Sequence, residues 1–137
     1  MRVVHINEAD SKGGAGIAAF RLHLGLLENG LKSSLLVRRK HSKENSVLEF
    51  EDPCTGRLPE DLVSSIYSHY VENNRTDISN THYSLSLQSL EVWEHSEVKK
   101  ADVIHLHWIS SLLNPRDIGR ILKMGKPVFW TLHDIKI

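Results

Sequence analysis

Arg2-Val3-Val4-His5-Ile6-Asn7, continued by Glu8-Ala9-Asp10-Ser11-Lys12-Gly13-Gly14-Ala15-Gly16, decides the fold. The first six residues are a short run rich in β-branched side chains and closed by a polar loop, the pattern of a strand buried on both faces. Beyond the glycines, Ile17, Phe20, Leu24 and Leu27 recur at spacings of three and four. That period predicts a helix that buries these positions, with Gly30 ending it in a left-handed conformation. Ser34 to Val37 form a second apolar run before the basic cluster Arg38, Arg39 and Lys40. Strand, glycine-rich loop, helix and strand make a βαβ unit, and right-handed crossovers make its strands parallel.

Working outward, residues 41–55 are polar and aperiodic and read as loop. Pro59 suits the first turn of a helix carrying two i, i+4 rows, Leu62, Ile66, Tyr70 and Val63, Tyr67, Val71. Residues 73–88 read as irregular and 90–98 as a short helix. Asp102 to Trp108 predicts a strand. Asn114-Pro115 is an N-cap with proline at the first helical position, and Ile118, Ile121 and Leu122 are the expected buried face. Gly125 and Pro127 stop that helix, and Val128 to His133 reads as a further buried strand. The expected class is α/β: one domain over residues 1–137, with a parallel sheet, the first strand central and helices on both faces.

Composition supports a packed domain. Forty per cent hydrophobic and 25% charged residues among 137 are ordinary for a globular protein. Seventeen Lys plus Arg balance seventeen Asp plus Glu, so no overall field draws the chain to nucleic acid, and no nucleic-acid partner is expected. Cys54 is the only cysteine, which excludes an internal disulfide and a thiolate zinc cluster from this chain, and a reducing cytoplasm is the natural setting. No apolar run approaches the ~18 residues of a membrane span.

Ligands of an open parallel sheet bind beyond the carboxyl ends of its strands, which directs attention to three groups. Asp10 to Gly16 offers glycines that let a ligand approach the backbone and free N–H groups at a helix N-terminus, which favour phosphate; the alternative reading is a tight strand-to-helix turn. His105 and His107 share one face of a strand, a spacing a metal site uses with a third ligand from His133 or Asp134; they read also as hydrogen-bonded core histidines. Thr131-Leu132-His133-Asp134 places a histidine where it can donate to a substrate hydroxyl, or simply cap the sheet edge. Arg38, Arg39 and Lys40 suit an anionic acceptor or a solvated loop.

Taken in order, Val3-Val4-His5-Ile6-Asn7, Gly13-Gly14-Ala15 with Ala18, Arg21 and Leu22, Ala101-Asp102-Val103-Ile104-His105-Leu106-His107-Trp108, Gly125-Lys126-Pro127-Val128 and Trp130-Thr131-Leu132-His133-Asp134 resemble the N-terminal domain of group 1 glycosyltransferases of the GT-B fold. Asn74-Arg75-Thr76 to Ser79, ahead of His82-Tyr83-Ser84, is similar to a stretch in bacterial members that build surface polysaccharides. The resemblance implies a Rossmann-like three-layer domain that holds a glycan acceptor and faces a donor domain across a cleft. It implies transfer of a sugar from a nucleotide diphosphate sugar to an acceptor hydroxyl with retention, with no bound metal or cofactor.

The expected site comprises His133 and Asp134 near the transferred sugar, Gly13, Gly14 and Ala15 at the donor diphosphate, and Lys12, His107 and Arg38 as substrate contacts. The family continues past the position of Ile137 into a donor domain, so this chain is expected to be an incomplete N-terminal portion, inactive alone, working in the cytoplasm at the membrane face. Its last strand is expected to recruit a second copy. Two further expectations stand beside this one: a stand-alone sugar- or nucleotide-binding module that pairs with a separate donor domain, and a small zinc hydrolase using His105, His107 and His133.

Overall fold

The computed structural model describes residues 1–50, 60–76, 78, 90–110 and 112–133. In chain order these form β1 (Arg2–Ala9), α1 (Gly13–Glu28), β2 (Lys32–Arg39), β3 (Val47–Glu49), α2 (Glu60–Asn74), a 3-10 turn (Val92–Glu94), α3 (Ser96–Lys100), β4 (Val103–Leu106), α4 (Pro115–Leu122) and β5 (Val128–Trp130). The strands lie in the order β3-β2-β1-β4-β5, and every pairing is parallel. β1 is central, as the two crossover units demand, and the architecture is Rossmann-like. The strand order reverses between β1 and β4, so their carboxyl ends open a crevice.

Alternation along the strands builds two layers of core. Val4, Ile6, Leu36, Ile104 and Leu106 point to one side and pack with Trp93, Val98 and Ile121. Leu35, Val37 and Val47 point to the other and pack with Ala19 and Phe20 of α1.

The contact between α1 and β1 departs from the expected face. Gly16, Ala19 and His23 are buried, whereas Ile17 is 39% exposed and Leu24 and Leu27 are half-buried. A Cβ on Gly16 would stand 2.9 Å from the Ala9 carbonyl oxygen, so the helix rides directly on the end of β1. Small residues must therefore face the sheet, and the larger apolar row is turned aside. Gly16→Ala is expected to cost about 1–3 kcal/mol of stability, because backbone blocks the added methyl. Urea unfolding checks this; an unchanged midpoint would show that the helix can slide.

Gly30 takes the left-handed conformation expected of it, at φ +76°. The loop expected over 41–55 contains β3, which pairs with residues 35–37. Its three residues are too few to show a period. The return from Arg39 to the level of Leu35 covers about 13 Å, within the ~23 Å reach of the seven linking residues. Asp10 secures that return: it is fully buried, and its carboxylate accepts from the backbone N–H groups of His41 and Ser42. Burial opposes its ionisation, but the hydrogen bonds from Ser42 and His41 outweigh this and hold its pKa below the usual carboxylate value.

In the second half, α2 forms over the expected rows, with Val63, Tyr67 and Val71 half-buried and Leu62, Ile66 and Tyr70 exposed. Pro59 lies outside the described residues. The short helix expected over 90–98 divides into the 3-10 turn and α3. Asn114 caps α4 with a complete capping box: its side chain accepts from the Asp117 N–H, and the Asp117 carboxylate accepts from the Asn114 N–H. Ile121 is buried as expected, but Leu122 is 58% exposed, because the buried row of α4 runs through Asp117 and Ile121 instead. Lys126 donates to the carbonyls of Val98, Lys99 and Ala101, tying the end of α3 to the turn before β5.

The strand expected at 128–133 is shorter and lies at the sheet edge, not inside. β5 spans Val128–Trp130, and Phe129 and Trp130 are 60% and 44% exposed. No helix among the described residues is long and apolar enough to cross a membrane.

Candidate functional site

The crevice at the strand reversal is a cleft of about 420 Å³, lined by Asn7, Glu8 and Ala9 from the end of β1, Lys12 and Gly13 to Gly16 from the start of α1, then Trp108 and His133. It follows from the fold: β1 runs into the glycine loop, β4 ends just before Trp108, and β5 leads to His133.

One wall is the N-terminus of α1. Lys12 is the N-cap residue in extended conformation, no side chain caps the helix, and no acidic residue occupies its first turn. The free backbone donors and the helix dipole therefore face the cleft uncompensated, an arrangement that favours an anion. Gly13 has φ +65°, which side-chain-bearing residues rarely adopt, so the tight entry into the helix needs glycine there.

Asn7 holds the floor. Its Oδ1 accepts from the Trp108 N–H at 2.8 Å, its Nδ2 donates to the Ala9 carbonyl, and the Glu8 N–H donates to the Trp108 carbonyl at 2.9 Å. These bonds tie the two strand ends together beneath the crevice.

Behind His133 stands a row of histidines. His133 Nε2 and His107 Nδ1 are 3.2 Å apart, and His107 Nε2 and His5 Nδ1 are also 3.2 Å apart, so one ring nitrogen of each pair donates. His105 packs against His107 with ring centroids 4.1 Å apart and the planes tilted by 35°, and its Nε2 lies 2.8 Å from Thr131 Oγ1. His23 of α1 packs edge-on against His5 and bonds to Ser33 and Ser46. Burial, reinforced by neighbouring histidines, pushes the pKa values of His5 and His107 down to about 3. Burial also lowers those of His105 and His23. The row is neutral at pH 7.

The structure brings Lys12, Gly13, Gly14, Ala15 and His133 together around one cleft. His107 does not line it: the residue is 3% exposed and reaches the cleft through His133. Arg38 is half-buried near the end of β2 and is not among the residues that line the cleft. Asp134 lies outside the described residues, and His107 is the group seen to hold His133.

Asn7, His5 and His23 were not among the site residues expected from the sequence. His5 faces His105 only through the pairing of β1 with β4, and His23 reaches β1 only because Gly16 lets the helix close. Asn7, the polar residue ending an apolar strand, was the one local hint.

Comparisons with protein-family models, curated proteins and solved structures give no match.

Proposed function

We propose that this chain is the acceptor-side N-terminal portion of a retaining GT-B glycosyltransferase, moving a sugar from a nucleotide diphosphate sugar to a hydroxyl of a glycan acceptor. The observation that carries the proposal is the pairing across one cleft of an uncapped, glycine-opened helix N-terminus with His133. The first suits a diphosphate and the second a sugar hydroxyl, and a glycosyl transferase must hold both at once. The other wall belongs, in this proposal, to a donor-binding domain.

Titration with nucleoside diphosphates, followed through the amide resonances, tests the proposal. UDP, GDP or ADP is expected to shift Gly13, Gly14 and Ala15, with millimolar affinity from one wall, whereas the matching nucleosides leave them still. Diphosphate-induced shifts that miss these three amides, or none at all, would remove the basis for the proposal. Turnover of a nucleotide sugar by the 137-residue chain alone would also overturn the division of labour between two walls.

A further inference from the structure

Three imidazoles from adjacent strands meet on the α1 side of the sheet. His5 pairs directly with His105 in the parallel register of β1 and β4, and alternation returns His107 to the same face. Each offers a ligand nitrogen, and these lie within 4.8 Å of one another. His5 Nδ1 and His107 Nε2 are 3.2 Å apart. Two donors on a tetrahedral zinc with bonds of about 2.0–2.1 Å stand about 3.3–3.4 Å apart. One edge of a coordination tetrahedron is thus already in place, and side-chain rotation closes the others.

The surroundings fit ligation as well. Thr131 holds Nε2 of His105 and His133 holds Nδ1 of His107, leaving His105 Nδ1 and His107 Nε2 as the nitrogens turned to a metal. Fixing the far nitrogen is how proteins orient ligating imidazoles. His5 is fully buried and presents Nδ1 to the same point as His107 Nε2, which leaves its Nε2 as the far nitrogen of the ring, without a hydrogen-bond partner. The rings are also neutral at pH 7, so ligation needs only a tautomer change that moves the proton between His5 Nδ1 and His107 Nε2 to the far nitrogen of its own ring.

We propose that His5, His105 and His107 form a zinc site. Neutral imidazoles select zinc over magnesium or calcium, which prefer oxygen donors. Among the described residues no carboxylate joins the cluster, so the ion keeps its charge and favours an anionic fourth ligand, a hydroxide or a phosphate oxygen. His105 is half-buried, beside the exposed Phe129, and admits that ligand from solvent. The site goes beyond the transferase proposal and stands without it.

The test uses the full chain, stripped with EDTA and given Zn²⁺ alone at micromolar concentration. After desalting it is expected to retain about one zinc per chain, and Co²⁺ in its place should give the visible bands of a tetrahedral site. His105→Gln is expected to lower zinc retention at least tenfold with an unchanged circular dichroism spectrum, while His69→Ala, exposed on α2, retains it. A wild-type chain that keeps no zinc, or a folded His105→Gln that keeps it in full, overturns the proposal. Should that variant not fold, ring resonances of the wild-type chain decide: zinc must shift His5, His105 and His107, and shifts confined to surface histidines overturn it.

Discussion

As pH falls below 6.5, the metal-free chain is expected to lose stability steeply, by up to about 5 kcal/mol at about pH 4.5. The cause is the pair His5 and His107, whose pKa values drop from 6.5 to about 3 on folding, first through burial and then through neighbouring histidines. Between those values the unfolded chain binds more protons than the folded one, so stability is full above 6.5 and is lost as pH falls towards 3. Each histidine contributes about 1.4 kcal/mol per pH unit in that window. His23 and His105, lowered mainly by burial, act in the same direction. Asp10, with a lowered carboxyl pKa, adds its own loss only below the ordinary carboxylate value. Small domains hold about 5–15 kcal/mol in all, so acid unfolding near pH 4.5 is a realistic outcome. Urea unfolding in EDTA across this range checks it. A flat profile would mean that the folded chain accepts protons on these rings, and His5→Phe should remove about half of the slope.

The second large effect concerns the cleft. In an enzyme that presents both walls, His133→Ala is expected to slow sugar transfer at least about a hundredfold, the usual scale for a group that donates to a reacting or positioned hydroxyl. Stability should fall by only about 1 kcal/mol, since the change removes one hydrogen bond at a half-buried position. The loss should appear in kcat more than in KM, and unchanged transfer would return His133 to the role of an edge cap. His107→Phe separates positioning from contact: it leaves His133 in the cleft but removes the nitrogen that holds its tautomer, so the pH profile of transfer should shift.

Local signals carried the first and last thirds of the fold. The β-branched run of β1, the left-handed Gly30 and the Asn114-Pro115 cap each act within a few residues, and all three appear where the sequence put them. What could not be read depends on neighbours distant in sequence. The face that α1 buries is set by the Ala9 carbonyl beneath Gly16, and β3 exists because β2 offers it an edge to pair with. The same holds for the site. The glycine loop and His133 were visible as strand-end residues, whereas the histidine row assembles through strand register. The motif of Ala101 to Val103 with Lys126-Pro127 also gained a physical cause only in three dimensions, where the lysine ammonium gathers three carbonyls at the end of α3.

Asp10 has a consequence for how the two loops can change. It opens the glycine loop, yet both its carboxylate oxygens are committed to backbone donors at His41 and Ser42, 31 and 32 residues on. The turn at the cleft and the return to β3 are therefore one mechanical part. An insertion in either loop must leave the other in place, and a ligand that draws the glycine backbone inward pulls on the 41–42 peptide as well. A reporter group attached beside His41, outside the cleft, would sense occupancy without touching the ligand.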